Sequence, residues 1–390
     1  MKRSRRHQKG HVFRKGSSWY LRYYDYAVQP NQQTVLQKKC VKLAPYGGEF
    51  RSKKAVRTLA DEFLKPFNDG TFTPKSAMTM RDFVEDVYLP HVDRQMKPST
   101  ANGYKKMWSR YFKERAGISL RDFRTVDCER FLTEIAFKYD LRIRTLSHVK
   151  HLLSGIFRYA IRTGYLNGMN PVRDACLPKG KPSADTYAYS CEEVTEMIDI
   201  LPEPARTLVA IAAFTGLRAG ELRGLELADY DSSVLHVRRS AWRKHIDIPK
   251  GKRGKGAVPV IPRLRQILDA YIAAVKPTKY LFQNQKGTPA DLGYIVLEVI
   301  IPILMENKMK WHGWHAFRRG LATNLHQIGV ADIVIQAILR HSDVAVTRES
   351  YILRDGVDMR SLAAMEAFQK QMDNQRTTAA NETESLVVIQ

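Results

Sequence analysis

Residues 170–182, NPVRDACLPKGKP, place three prolines within thirteen positions. Proline lacks a backbone donor and clashes with a preceding helical turn, so neither a helix nor a central strand can run through this stretch. It divides the chain into an upstream block with helical periodicity and a downstream block of mixed pattern. With its basic residues, it suits an exposed interdomain linker and hinge. At roughly 150 residues per domain, 390 residues predict two or three domains, each with ample core. Hydrophobic residues at 44% and charged residues at 26% exclude a disordered chain.

Ahead of the helical block, His11–Arg14, Ser18–Tyr26 and Gln33–Leu43 read as three short strands. Trp19, Leu21 and Tyr23 alternate with Tyr20, Arg22 and Tyr24, the period of a half-buried strand. Ser52–Phe67 reads as an amphipathic helix with Val56, Leu59, Ala60, Phe63 and Leu64 on one stripe. Helices follow over Thr79–Leu89, Ser99–Arg115, Thr125–Tyr139 and Arg142–Thr163, with Ser99 and Thr100 as candidate caps behind Pro98. The last carries Leu146, Val149, Leu153, Ile156, Phe157 and Ala160 on one face.

Beyond the prolines, Val234–Arg239, Arg243–Pro249 and Ala257–Ile261 read as strands, the turn before the third being GKRGKG. Helices are expected over Pro262–Val275, Pro289–Asn307, His315–Ile328 and Ala331–Leu339, with Gly216 and Gly329 as C-terminal caps. The fold class is therefore mixed and mainly α: an N-terminal three-stranded sheet with one helix, a helical middle domain, and an α+β third domain. Boundaries are expected at 1–75, 78–175 and 183–373, followed by a polar tail over 374–390. That tail ends in an apolar LVVI patch suited to docking on a neighbouring protomer.

The formal net charge is +23, of which residues 1–76 supply +12. Such an excess points first to nucleic acid and second to an anionic membrane surface. The second needs a basic amphipathic helix with a large apolar face, and the sequence offers none. No apolar run reaches a membrane span, and the basic N-terminus leads into no signal-peptide segment, so a cytoplasmic protein, nucleoid-associated when on DNA, is expected. Cys40, Cys128, Cys176 and Cys191 are scattered without a CxxC pair, which argues against a disulfide framework and a zinc knuckle. In the N-terminal module, Arg14, Lys15 and Arg22 are candidate DNA contacts, the bland alternative being a basic structural cap.

Four segments could carry chemistry. In TGLRAGEL, Arg218 stands near a helix start where an anion is favoured, with Glu221 three residues on to hold its guanidinium. Taken alone, the segment favours a local surface ion pair. The KGKRGK turn offers Lys250, Lys252, Arg253 and Lys255 as phosphate contacts, one lysine serving as proton donor; it also reads as a solubilising loop. In HAFRR, His315 and Arg318 share a helix face while Phe317 points to the core. Leu339-Arg340-His341 precedes Tyr351 by ten residues. His312 and His315 superficially suggest a metal pair, but lack convincing Cys or carboxylate partners.

The order Arg, Lys, His-x-x-Arg, His, Tyr resembles the tyrosine recombinases, the family that includes phage integrases. The likeness spans essentially the whole chain. It is strongest in TGLRAGEL, HAFRRGLAT and LRHSDVAVTRESY, and weaker in an N-terminal module similar to the arm-binding domain of long integrases. It implies Arg218 and Arg318 as paired phosphate-binding arginines, His315 and His341 as the histidine positions, and Tyr351 as nucleophile. It further implies Glu221 as a supporting residue and Lys250 as the hairpin lysine, for which Lys252 is a rival. Arg340 departs from the glycine common before the second histidine.

The resemblance also implies an N-terminal arm-type module, a SAM-like core-binding domain and a catalytic domain, the latter two closing on the duplex. Partners would be double-stranded DNA at core and arm-type sites, a homotetramer on paired sites, and host DNA-bending or directionality factors. No cofactor or metal is expected. A phosphodiester attacked in line gathers charge on oxygens that planar arginines accept, each preorganised donor contributing about 3–4 kcal/mol. A non-catalytic DNA-binding regulator on the same fold would lack one catalytic position, and none is missing. A relaxing topoisomerase would share the chemistry without site specificity.

Overall fold

The computed structural model describes residues 7–29, 33–112, 116–182, 186–249 and 255–340. Contacts divide the chain into two units, Met1–Ala184 and Asp185–Gln390.

In the first unit, β1 (His11–Lys15), β2 (Ser18–Val28) and β3 (Thr34–Pro45) form an antiparallel sheet in that order. The expected alternation holds: Trp19, Leu21 and Tyr23 are buried while Arg22 and Tyr24 are exposed. The helix Lys53–Asn68 starts at Ser52, whose Oγ accepts from the Ala55 N–H at 3.2 Å and satisfies a donor the first turn leaves open. Its Val56, Ala60 and Leu64 pack with Val12, Trp19, Leu21 and Tyr23 into one small core.

Asp25 continues the inward phase of β2 and is buried, although it is an acid. It accepts from Lys39 at 2.9 Å and from Arg121, which belongs to a short turn of the helical block. The Arg121 guanidinium lies 5.0 Å from the Phe72 ring and 5.5 Å from the Phe67 ring. A buried ion pair and two cation–ring contacts thus fasten the sheet module to the helices.

The helical block buries Phe83, Val84, Trp108, Phe112, Leu132, Leu146, Leu153 and Phe157 in a common core. The expected helix ending at Leu89 continues through Met80–Phe83, Val84–Tyr88 and Leu89–Gln95. Pro90 does not end it because the chain widens into a π-type turn over Val84–Tyr88 just ahead, which accommodates the missing donor and the ring. The same device precedes Pro302, where Val296–Ile300 widens between Leu292–Ile295 and Ile301–Glu306. The helix Pro98–Met107 begins at the proline itself, whose fixed φ suits the first helical position. Lys97 therefore occupies the cap, and Ser99 and Thr100 do not.

The proline-rich stretch also differs from expectation, since it is not a loose exposed linker. Val172 and Ala175 are buried in the helical core. Asn170 donates to the Ser154 carbonyl at 3.0 Å, and the Ile143 N–H donates to Lys181 O at 3.0 Å. Prolines stop regular structure, but the apolar residues between them still seek burial, and the nearest core is the one just left.

In the second unit, Ser190 and Glu193 cap the helix Cys191–Ile200 reciprocally. The following helix, Ala205–Thr215, is buried on nearly every side. Among the described residues, four short strands replace the expected three. β4 (Val234–Val237) pairs with β7 (Gly256–Pro259), and β5 (Ser240–Trp242) pairs with β6 (His245–Asp247). Arg243, at φ 51°, turns the chain between β5 and β6, so the strand expected to start there begins only at His245, and β5 forms where none was expected. Buried Asp229 accepts from Arg238 at 3.0 Å and Arg239 at 2.6 Å, pinning the crossing from β4 to β5. The helix Pro262–Val275 forms as expected, followed by Trp314–Gln327 and Asp332–Leu339.

Candidate active site

Gly216 ends the helix Ala205–Thr215 in the left-handed conformation at φ 62°. A Cβ there would meet Leu339 Cδ2 at 2.6 Å, which with the positive φ strongly favours glycine at this position. The tight turn delivers Arg218 to the start of the helix Ala219–Arg223. That helix has only five residues, so its dipole adds little to anion attraction, contrary to expectation, and the work falls to side chains.

Glu221 is buried, and its carboxylate accepts three donors. Oε1 takes Arg218 Nη1 at 2.7 Å. Oε2 takes the Arg218 backbone N–H at 3.0 Å and Arg340 Nη2 at 2.6 Å. The expected Arg218–Glu221 partnership is thus present, but as part of a hub with a second arginine. Arg218 keeps 28% of its side chain exposed, whereas Arg340 keeps 5%. Burial pushes the Arg340 guanidinium pKa down, Glu221 opposing this and Arg218 adding to it.

Arg318 is buried on the helix Trp314–Gln327 and donates to Gly216 O at 2.6 Å and to Leu339 O. It therefore joins the Gly216 turn to the end of the helix Asp332–Leu339, with Phe317 in the core as expected. His315, one turn earlier, has an exposed side chain. Even so, desolvation by the surrounding chain, then the charges of Arg318, Arg319 and Arg218, hold its pKa below the usual imidazole range. A neutral imidazole accepts a proton at neutral pH, which suits a base. His312 lies face to face with Tyr187, the ring centroids 3.5 Å apart.

The structure brings together Arg218, Glu221, His315 and Arg318 from two separate segments. Lys250, Lys252, Arg253, His341 and Tyr351 lie outside the described residues. Lys255 is exposed immediately before β7. In the N-terminal sheet, Arg22 lies over the Phe13 ring at 4.9 Å on the outward face. Arg14 instead pairs with inward-facing Trp19, donates to Gly16 O at 3.0 Å and stacks over Tyr46 at 3.8 Å. Lys15 is exposed. Arg340 and Arg121 carry no periodic signal in the sequence that marks them as partners of buried acids.

Residues 189–355 match the model of the phage integrase family. A XerC-like tyrosine recombinase of Caldanaerobacter subterraneus subsp. tengcongensis is 23% identical, over 77% of this chain and 86% of the relative. The second half of this chain is thus similar to the phage integrase family. The transposase of transposon Tn916 from Enterococcus faecalis is 22% identical over 97% of this chain and all of its own length. Among solved structures, the Tn1549 transposon integrase in complex with transposon right-end DNA superposes with TM-score 0.60 at 20% identity, covering 74% of this chain and 98% of its own. A lambda integrase tetramer bound to a Holliday junction gives TM-score 0.58 at 16% identity, covering 92% of this chain and all of its own. These likenesses give the tyrosine-recombinase fold.

Proposed function

We propose that this chain is a site-specific DNA recombinase of a mobile element, cutting and rejoining strands through a 3′-phosphotyrosyl intermediate. The observation that carries the reading is the meeting of Arg218 and Arg340 on the single buried carboxylate of Glu221, with Arg318 buried against the Gly216 turn, beside a histidine whose pKa is held low. Two guanidinium groups share one carboxylate while Arg318 directs its donors to backbone carbonyls, so the site is net positive and the exposed part of Arg218 can offer an anion a planar fork of donors.

In this reading Tyr351 Oη attacks the scissile phosphorus in line, its proton passing to a histidine, His315 or His341. Arg218 and Arg318 stabilise the charge gathering on the non-bridging oxygens. The departing 5′ oxygen takes a proton from Lys250, with Lys252 as the rival donor. One P–O bond forms as another breaks, so the ester to Tyr351 conserves the energy for religation and no ATP is needed. Glu221 supports the arginines.

The domains assigned to this work are 1–75 for arm-type DNA, 78–175 for the core site, and 183–373 for catalysis, with 374–390 as a tail. Arg14, Lys15, Arg22, Lys252, Arg253 and Lys255 are assigned to DNA contact, a sequence-independent and salt-sensitive contribution. The outward aromatic and basic face around Phe13 and Arg22 supports that assignment better than the inward placement of Arg14 does. Assembly would be a homotetramer on paired sites, with host DNA-bending or directionality factors and a nucleoid location while bound.

The test is a nicked suicide DNA substrate incubated with wild type and with Tyr351→Phe, in EDTA. A covalent protein–DNA adduct is expected with wild type alone. An adduct that persists in the variant, or activity that dies on chelation, overturns the mechanism.

A further inference from the structure

Arg340 sits at the end of the helix Asp332–Leu339 with φ 54° and ψ 42°. This left-handed conformation is disfavoured for a residue with a Cβ and natural for glycine. Arg340 is also costly in a second way, because its buried Nε and Nη1 have no hydrogen-bond partner among the described residues. A backbone strain and two unmet donors are carried at one residue, next to the candidate site. Such outliers persist where the surrounding structure uses them.

The side chain makes two contacts. Nη2 donates to Glu221 Oε2 at 2.6 Å, completing the carboxylate whose other oxygen fixes Arg218. Its stem runs against the glycine that opens β7, where a Cβ on Gly256 would meet Arg340 Cδ at 2.9 Å. Strand β7 is the segment onto which the lysine-rich turn leads. One side chain therefore touches the element that carries Arg218 and the strand that follows the lysine turn, from a backbone adjacent to His341.

We infer that Arg340 is a positioning residue, a brace that locks Glu221 so that Arg218 presents its guanidinium preorganised to the DNA phosphate, and that sets β7 against the same carboxylate. The inference rests on the recombinase reading for its consequence in cleavage, but its structural half can be measured without DNA. Preorganised donors need no reorganisation as charge develops, so loosening one shows in the chemical step rather than in binding.

The variant to make is Arg340→Gly in the full chain, since glycine keeps the backbone conformation and relieves its strain. The expected result is an unchanged or raised melting temperature and DNA affinity within about three-fold of wild type. Adduct formation on the suicide substrate falls roughly ten- to a hundred-fold. Arg340→Lys, which keeps a charge but loses the planar fork, does not restore the rate. Gly256→Ala slows cleavage in the wild-type background by pushing on the Arg340 stem, and adds little in the Arg340→Gly background.

Nitrogen-15 NMR of the arginine side chains, on the protein without DNA, supplies the independent reading. Arg218 guanidinium signals ordered in wild type broaden or average in Arg340→Gly. Ordered Arg218 signals in the variant, wild-type cleavage by Arg340→Gly, or an equal Gly256→Ala effect in both backgrounds would each overturn the brace. If wild type forms no adduct while the Arg218 signals still depend on Arg340, the recombinase reading fails and the brace stands.

Discussion

Asp25 in the first unit and Glu221 in the second are both buried carboxylates, 2% and 1% exposed, and each accepts from two cationic side chains. Their surroundings part company at the cations. Around Asp25, Arg121 is itself buried and the rest of its guanidinium lies over Phe67 and Phe72, so its charge is spent inside the protein. Around Glu221, Arg218 remains partly exposed and no described aromatic ring lies over Arg218 or Arg340. The same two-cation motif is a fastening in one place and a poised donor in the other. What separates them is whether a guanidinium keeps an unspent, outward-facing edge.

The largest expected effect probes the fastening. Asp25→Ala leaves Arg121 buried without its partner and should cost about 3–5 kcal/mol in urea unfolding, while the folded fraction cleaves DNA at the normal rate. A cost under about 1 kcal/mol would show that the sheet module is held mainly by its apolar contacts. Next in size, Arg218→Lys should slow adduct formation by about a hundred- to a thousand-fold, leaving DNA affinity and melting temperature close to wild type. A large loss of stability in that variant would make the Glu221 hub a fastening too.

The two regions should also separate in pH. Burial raises the Asp25 pKa, but the hydrogen bonds from Arg121 and Lys39 outweigh it and the net shift is downward. Its stabilisation is therefore full above the unfolded carboxylate value, about 3.9, and is lost as pH falls through the lower folded value. Desolvation and neighbouring arginines lower the His315 pKa. Its neutral form is the folded one, so that contribution is present above about pH 6.5 and lost as pH falls through the folded value. NMR titration should place the His315 midpoint below the ordinary range, moving up when DNA phosphate offsets the arginine charge. The smallest effect belongs to Lys39→Ala, about 0.2–1 kcal/mol, because Lys39 is 42% exposed and Arg121 still holds Asp25.

Period and spacing made much of the fold legible. The Trp19, Leu21, Tyr23 alternation and the stripe from Leu146 to Ala160 both point inward as read, since burial of apolar faces is what those periods encode. The Arg218–Glu221 link was legible because i, i+3 neighbours meet within one turn. Arg121, Asp25 and Arg340 were not, since each finds its partner 96 or 119 residues away and no local pattern specifies such pairs. Proline misled twice for a shared reason. Its local rule is firm, yet a π-type turn lets a helix pass Pro90, and apolar Val172 and Ala175 draw a proline-rich segment into a core. Arg14 and Arg22 looked equivalent as basic strand residues, but their phase puts them on opposite faces of the sheet.

The residue to which DNA becomes attached is decisive. The adduct formed on a nicked suicide substrate can be digested with protease and nuclease and its peptides weighed by mass spectrometry. A 3′-phosphonucleotide on the peptide containing Tyr351, formed quickly by wild type and about a hundred-fold or more slowly by Arg218→Lys, is the expected result. A nucleotide on a different residue, or a free cleaved end with no protein attached, would contradict it.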